Sequence, residues 1–370
     1  MNPTPAQLAQ LRLARTSGVG PVTYRRAVRH YRGAEAALEA HARWLKKEQV
    51  LASAESVQRE LEALAKMGGQ IVLWGHAGYP SALAELPDPP LVVSVLGNID
   101  LLNTRQVALV GNRNASAAGL AWSRDLAMAL AKAGVTVTSG LARGIDTASH
   151  EGALAGNGST VAVVAGGVDN IYPPENKVLR ERILAGGAVI SEQALGMVPT
   201  ASLFPRRNRI IAGLSVGVAV CEATKHSGSL ITAQCALDYG REVWAVPGSP
   251  TDPRAGGPNW LLKNGATLVE MAADILQDLP ATPAPYVPRT AAQPSLLEEV
   301  LELDDVEDES PALAATPRQK VYDLLGGQPM AGDDLIRASG LPDTDLTMLL
   351  VELELEGHAV REGDGRWRRG

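Results

Sequence analysis

The chain has 370 residues, of which 45% are hydrophobic and 20% are charged, and its formal net charge is −7. This length predicts two or three domains, and the composition is typical of folded proteins. The two cysteines exclude a disulfide framework, and the six histidines never fall at the i, i+4 spacing of a helical zinc site. There is no apolar run of transmembrane length and no signal peptide, so we expect a cytoplasmic protein without membrane contact, metal or cofactor.

Residues 1–66 are predicted to form a small helical domain, and they carry 11 Lys and Arg against six carboxylates. The stretch LARTSGVGPVTYRRAVRHY places a Gly-Val-Gly turn between two helices, with Pro21 at the first position of the second helix. This pattern resembles a helix-hairpin-helix, whose tight turn offers free N–H groups to a phosphate. Arg25 and Arg26 follow the turn and are candidate DNA contacts. A plain connection between two helices remains the alternative.

Residues 67–280 are predicted to form an α/β domain. Apolar strands alternate with helical stretches, and the strands lie at 107–111, 135–140, 160–167, 188–191, 216–222 and 242–248. Strands that are nearly all apolar are typical of a mostly parallel sheet covered on both faces. The alternation therefore predicts a Rossmann-like, doubly wound fold. Two further strands within residues 71–100 are interpreted as an extension of this sheet.

The C-terminal part of the chain divides into a linker and a small domain. Residues 281–316 begin with a proline-rich stretch and carry one Arg against eight carboxylates, which indicates a solvated spacer. An autoinhibitory mimic of nucleic acid is the alternative. Residues 317–370 are predicted to form three short helices followed by a β-ribbon, an order that resembles a winged helix. Because its last helix is acidic, we expect it to contact protein rather than a DNA groove. The acidic residues are Asp343, Asp345, Glu352, Glu354 and Glu356.

Polar, Gly-rich loops follow four of the predicted strands. Their sequences are GNRNAS, SGLARGID, GGVDNIYPPEN and EATKHSGSLITA. In open α/β sheets ligands bind at the carboxyl ends of the strands, where helix N-termini favour anions. These loops therefore predict a ligand that carries phosphate. The first loop lacks G-x-G-x-x-G, and no G-x-x-x-x-G-K-[ST] occurs, so neither a dinucleotide nor a P-loop ATPase is supported.

Phe204 is the single phenylalanine of the chain, and it opens the sequence FPRRNR. An aromatic ring beside clustered guanidinium groups suits single-stranded nucleic acid, because the ring stacks on a base and the arginines bind the backbone. Three arginines at a helix start are unfavourable against the helix dipole, so we expect an anion to compensate them. The alternative is a core phenylalanine with arginines at the start of a helix.

Six motifs run in order over residues 107–266. They are VALVGNRNAS, SGLARGIDTASHEGAL, VAVVAGGVDNIYPPEN, FPRRNRIIAGLS, EATKHSGSLITAQCALDYGREVWAVPG and GGPNWLLKNGA. This combination resembles the DNA-processing protein A family, also called Smf. The resemblance implies a Rossmann-like core between a helical N-terminal domain and a winged helix. It also implies a homodimer that binds single-stranded DNA and loads the RecA recombinase in natural transformation, with single-strand-binding protein as a further partner.

The resemblance also assigns site residues. The implied DNA contacts are Gly111, Asn112, Arg113, Ser139, Gly140, Gly166, Gly167, Phe204, Arg206, Arg207, Asn208, Lys225, Ser227, Gly228 and Ser229. Asn112 stands where the family usually has a small hydroxyl residue, and its amide can still donate to phosphate. Trp260, Leu261 and Leu262 are expected near the dimer contact, with ordinary core packing as the alternative.

The same part of the sequence also contains residues that suggest an enzyme. Asp146, Ser149 and His150 lie close in sequence, but neighbouring helix residues point about 100° apart, so they cannot form a triad. A nucleoside-monophosphate phosphoribohydrolase of the lysine-decarboxylase-like type is the main alternative. It needs a carboxylate where residues 232–234 are Thr-Ala-Gln, and Glu222 suits a supporting role better. A pure protein scaffold would leave the Gly-rich loops unexplained. We therefore expect a protein that is not an enzyme.

Overall fold

The computed structural model divides the chain into two compact units, residues 1–306 and 307–370, which are described separately. It describes residues 3–84, 86–277 and 279, and then 321, 325, 330–339, 346, 350, 353–354, 359–361 and 366–369. The predicted linker over residues 281–316 lies outside the described residues.

The first unit begins with four helices, as predicted for its N-terminal region. They are α1 (Pro5–Ala14), α2 (Pro21–Tyr31), α3 (Ala34–Glu39) and α4 (Ala54–Lys66). Thr4 and Gln7 form a capping box at the start of α1, and Pro21 opens α2 directly after the glycine turn. Leu11, Tyr24 and Val57 pack into a common apolar core between these helices.

A nine-stranded sheet forms the centre of this unit. Its strands are β1 (Gln70–Leu73), β2 (Val92–Gly97), β3 (Gln106–Val110), β4 (Thr136–Ser139), β5 (Thr160–Val163), β6 (Ala188–Ser191), β7 (Gly217–Val220), β8 (Glu242–Ala245) and β9 (Thr267–Leu268). Their spatial order is β1-β2-β6-β5-β4-β3-β7-β8-β9. Strands β3 to β9 are parallel, and β2 runs antiparallel to both β1 and β6. The two strands expected within residues 71–100 therefore do extend the sheet.

Eight helices accompany the described strands of this unit. They are α5 (Ser81–Ala84), α6 (Ala117–Lys132), α7 (Ile145–Ala155), α8 (Lys177–Leu184), α9 (Leu203–Leu214), α10 (Gly228–Asp238), α11 (Gly256–Lys263) and α12 (Ala272–Leu276). Residues of β3 alternate between two cores: Leu109 packs with Leu130 of α6, whereas Val110 packs with Ile210 of α9 and Leu230 of α10. Covering both faces leaves few polar positions in the strands, which explains their mostly apolar sequence. The buried Thr138 and Ser139 of β4 are exceptions, and both hydroxyls donate hydrogen bonds within the protein.

The described part of the second unit agrees with a winged helix. Helix α13 (Gly332–Ser339) precedes the antiparallel strands β10 (Ala359–Arg361) and β11 (Trp367–Arg369). Leu335, Leu350 and Trp367 are buried together in its core. Of the five acidic residues expected on its last helix, Glu354 is exposed and the other four lie outside the described residues. No helix in the described ranges is both long and apolar enough to cross a membrane.

Candidate nucleic-acid interface

The strand order creates a crevice at the carboxyl ends of the parallel strands. The chain runs outward from β3 through β4, β5 and β6, and then returns to β7 on the other side of β3. Such a reversal is where open α/β sheets bind ligands. We call the loops at this edge the carboxyl rim; they comprise residues 111–116, 140–144, 164–176, 192–202 and 221–227.

The turn after β3 is built around a close approach of two strand ends. A Cβ atom at Gly111 would lie 2.8 Å from the carbonyl oxygen of Glu222, which follows β7. The Asn112 amide donates to that same oxygen at 2.6 Å. Glycine is therefore required at residue 111 for packing rather than for access of a ligand. The next residue, Arg113, is directed along the rim toward α9.

Phe204, in the first turn of α9, is the centre of an aromatic and cationic cluster. The Arg113 guanidinium lies 5.0 Å from its ring centroid, and that of Arg207 lies 5.9 Å away. Tyr172 contacts the same ring edge-on, with the centroids 5.9 Å apart. The ring is half-buried. Sequence reasoning found Phe204 and both arginines but missed Tyr172, although it lies in the quoted motif GGVDNIYPPEN.

Arg207 occupies a different position from the one that its sequence suggests. It is 6% exposed, its guanidinium donates to the Val163 carbonyl at 3.2 Å, and it lies 3.9 Å from the Asp146 carboxylate. Burial lowers the pKa of Arg207 to about 10, which leaves it cationic at neutral pH. Burial raises the pKa of Asp146, and Arg207 opposes that rise. Arg207 thus supports the Phe204 ring from inside the protein instead of facing solvent.

The other two arginines of α9 differ from each other. Arg209 is buried and pairs with Glu192 at 2.6 Å and with Asp88 at 3.6 Å. Arg206 is exposed. The sequence predicts an anion that compensates these arginines. For Arg207 and Arg209, carboxylates of the chain itself take that role. Arg206 is the arginine of this helix that faces solvent.

The hydrogen-bond donors of the loop after β4 are also bonded to groups of the protein itself. The Asp146 carboxylate accepts hydrogen bonds from the amides of Gly140 at 3.1 Å and Ala142 at 3.3 Å. The Ser139 hydroxyl is buried and donates to the Leu109 carbonyl at 2.7 Å. Ser139 and Gly140 were expected to contact DNA, but the Ser139 hydroxyl donates to a carbonyl and the Gly140 amide donates to an internal carboxylate. Ser139 and Gly140 therefore form the wall behind Arg207.

The remaining predicted contacts of the rim lie in two places. Gly166 and Gly167 are buried beneath the 192–202 loop, where a Cβ atom at Gly166 would lie 2.6 Å from the Met197 carbonyl oxygen. On the other side, the Asn208 side chain donates to the Gly228 carbonyl at 3.1 Å and joins α9 to the start of α10. Lys225 is exposed beside that start. At the cap of α10, the Ser227 hydroxyl accepts from the Ser229 amide and also hydrogen-bonds the Ser229 hydroxyl.

Comparison with known proteins identifies the family. The model described as DNA recombination-mediator protein A matches residues 70–280. The DprA-like N-terminal HHH domain matches residues 5–63, and the DprA winged helix domain matches residues 306–365. The chain belongs to the DprA/Smf family. This confirms the resemblance drawn from the six motifs.

Similar DprA/Smf proteins cover most of the chain. Protein Smf of Escherichia coli K12 is 40% identical over 294 residues, which are 79% of this chain and 75% of the relative. The Synechocystis Smf is 32% identical and covers 96% of this chain and 97% of the relative.

Two solved DprA structures share the fold. That of Streptococcus pneumoniae has a TM-score of 0.64 at 31% identity and covers 76% of this chain and 99% of its own. The structure from Helicobacter pylori, described for its single-stranded DNA binding mode, has a TM-score of 0.51 at 30% identity. It covers 57% of this chain and 95% of its own.

In this DprA/Smf chain the residues considered for catalysis have structural partners. The Ser149 hydroxyl donates to the Ile145 carbonyl, and His150 is hydrogen-bonded to Thr160 at 2.7 Å, so no triad forms among them. Both carboxylate oxygens of Glu222 accept from Ser116, one from its amide and one from its hydroxyl. Neither Glu222 nor the buried segment 232–234 supplies a free general base for the phosphoribohydrolase alternative. The described residues also contain no cluster of potential metal ligands.

The predicted residues outside the rim are placed as follows. Arg26 is exposed on α2, whereas Arg25 donates to the Pro87 carbonyl and so joins α2 to the sheet domain. Leu261 is 3% exposed and belongs to the main core, which corrects its assignment to a dimer surface. Trp260 and Leu262 are partly buried against the same core.

Proposed function

We propose that this chain is a recombination mediator, not an enzyme, which binds single-stranded DNA along the carboxyl rim and loads RecA onto it in natural transformation. The half-buried Phe204 ring, with Arg113 over it and Tyr172 at its edge, carries this proposal. One aromatic face suits an unstacked base of any identity, and the exposed Arg206 and Lys225 suit the phosphates beside it. The binding mode described for the Helicobacter pylori relative supports the same ligand.

The proposal assigns different roles to the predicted contact residues. Arg113, Arg206 and Lys225 bind phosphates, Phe204 stacks on a base, and Asn208 holds the rim together. Buried residues act through their neighbours: Arg207, Ser139 and Gly140 fix the ring from beneath, and the Gly166–Gly167 turn supports the neighbouring loop. On α2, Arg26 extends the basic surface. RecA, single-strand-binding protein and a second copy of the chain are the proposed protein partners.

Two substitutions separate base stacking from charge. Phe204→Ala should weaken binding to oligo-dT by about fivefold to a hundredfold, because stacking on an aromatic ring contributes about 1–3 kcal/mol per base, while the salt dependence stays the same. Arg113→Ala should reduce the slope of log K against log salt by about 0.7, the value for one lost phosphate contact on single strands. Gel-shift titrations at several salt concentrations measure both.

Arg59→Ala, an exposed arginine of α4, is the matched control and should change neither quantity. If Phe204→Ala and Arg113→Ala bind as the unaltered chain does, the assignment of the rim is wrong. RecA loading is tested separately, by RecA-dependent strand exchange on DNA coated with single-strand-binding protein. Absence of stimulation by the unaltered chain would refute the mediator role and leave DNA binding intact.

A further inference from the structure

The loop between β6 and α9 exposes two adjacent apolar side chains. Met197 is 43% exposed and Val198 is 54% exposed. Other large apolar residues at the described surface, such as Met67 and Val50, stand alone in sequence. Isolated exposed apolar residues are normal, but an adjacent pair within a loop of the carboxyl rim is a candidate contact surface.

Hydrogen bonds from a neighbouring loop fix this pair in place. The Gly167 amide donates to the Met197 carbonyl at 2.9 Å, and the Met197 amide donates to the Ala194 carbonyl at 3.3 Å. The Gly196 amide donates to both carboxylate oxygens of Asp169, at 2.9 and 3.0 Å. The buried Gly166 allows this close packing, as described above. The backbone of the loop is therefore preorganised and does not need to be ordered when a ligand binds.

The position and charge of the loop indicate what it contacts. Its anchor, the turn after β5, continues into the segment that carries Tyr172, and the loop itself leads directly into α9 and Phe204. Residues 193–202, QALGMVPTAS, contain no charged side chain. A segment without cations offers the phosphates no opposite charge, and its exposed Met197 and Val198 side chains offer them no hydrogen-bond donor, so in a bound strand these two side chains would face the bases.

We infer that Met197 and Val198 form a second nucleobase contact, next to the Phe204 cluster, for the unpaired bases of the bound strand. This inference rests on the proposed function and extends it by one subsite. The thioether of Met197 is polarisable and packs against the ring of any base, and Val198 adds apolar area. In this contact Met197 and Val198 touch the apolar faces of the bases. They touch neither the hydrogen-bonding edges of the bases nor the phosphates of the strand.

The test compares two ligands of equal charge: oligo-dT and an abasic oligonucleotide of the same length. The double variant Met197→Ser/Val198→Ser should bind oligo-dT about fivefold more weakly, the size expected for losing partly buried apolar contacts. It should bind the abasic strand as the unaltered chain does. The matched control is Met67→Ser/Val50→Ser, because Met67 has nearly the same exposure, 44%, and precedes β1 at the amino-terminal ends of the parallel strands, opposite the carboxyl rim. It should leave both affinities unchanged.

Methionine oxidation gives a second readout on the unaltered chain. Peroxide converts exposed methionine to its sulfoxide, which mass spectrometry detects. Oligo-dT should protect Met197 and leave Met67 reactive, and the abasic strand should protect Met197 less. Equal losses of affinity for both ligands, or no protection, would overturn the second contact. If the variant retains affinity while Phe204→Ala loses it, the inference fails and the proposed function stands. If the unaltered chain binds neither ligand, both fail.

Discussion

At the scale of single residues, burial decides which titratable groups respond to solvent. His150 is fully buried in α7, hydrogen-bonded to Thr160, and burial lowers its pKa to about 3, with a smaller effect from Arg207. Arg207 is buried with Asp146 as its counterion. Removing one partner of a buried pair leaves an uncompensated charge, so these residues belong to the framework that holds the Phe204 ring.

The buried imidazole predicts acid sensitivity. In the unfolded chain His150 binds a proton below about pH 6.5, whereas in the folded chain it stays neutral down to about pH 3. Its contribution to stability is therefore complete above pH 6.5 and is lost as the pH falls. Between pH 7.5 and 5, the free energy of unfolding should decrease by about 2 kcal/mol more for the unaltered chain than for His150→Gln.

Urea denaturation at the two pH values measures this difference, with the exposed His30→Gln as the control. NMR of labelled histidine provides a check that does not depend on the variant folding. A His150 ring that titrates between pH 5 and 8 in the folded chain would contradict the prediction.

At the scale of elements, the rim depends on how helix starts meet strand ends. Gly144 precedes α7 with a φ of +73°, and a Cβ atom there would overlap the Asn112 carbonyl oxygen and crowd that of Arg113. The Ile145 amide donates to the Asn112 carbonyl at 3.2 Å. The start of α7 thus sets the position of the turn that carries Arg113.

This contact is tested with two glycines of similar positive φ; Gly144 also has a ψ of −124°, outside the regions open to other residues. Gly134 has a φ of +77°, and a Cβ atom added to it would meet nothing within 4 Å, so Gly134→Ala introduces backbone strain alone. Gly144→Ala adds the overlap and the strain of that ψ, and together they should lower the free energy of unfolding by about 2 kcal/mol more, measured by urea denaturation. It should also weaken binding to oligo-dT. Equal destabilisation of the two variants would show that the chain accommodates the added Cβ atom at residue 144 without a further loss of stability.

At the scale of the whole molecule, a second copy would place two rims on one DNA strand. The second binding event then occurs at high effective concentration, which strengthens binding without new contacts. In the proposed dimer, Trp260 and Leu262 of α11 remain the candidate contact residues, since Leu261 points into the core.

Leu262→Arg should therefore convert a dimer to a monomer in sedimentation experiments. It should weaken binding to a long oligonucleotide and leave a short one, which fits a single rim, unaffected. Val50→Arg adds the same charge at an exposed position away from α11 and should remain dimeric. A Leu262→Arg chain that still sediments as a dimer would exclude this surface.

The sequence alone determined the helical N-terminal region, the order of strands and helices, and the place of the carboxyl rim at the ends of the strands. These follow from local patterns: apolar strands read as buried, and Gly-rich loops mark where strands end. It also identified Phe204, because a lone aromatic beside arginines is visible in six consecutive residues.

Only the tertiary structure decided which arginines face solvent. The partners of Arg207 and Arg209 are Asp146, Asp88 and Glu192. They come from a helix start, a loop and a strand end elsewhere in the chain, so no local pattern reveals them. Burial of Leu261 and exposure of Met197 were decided in the same way. A side chain's environment is set by the elements packed around it, and those elements meet only when the chain is folded.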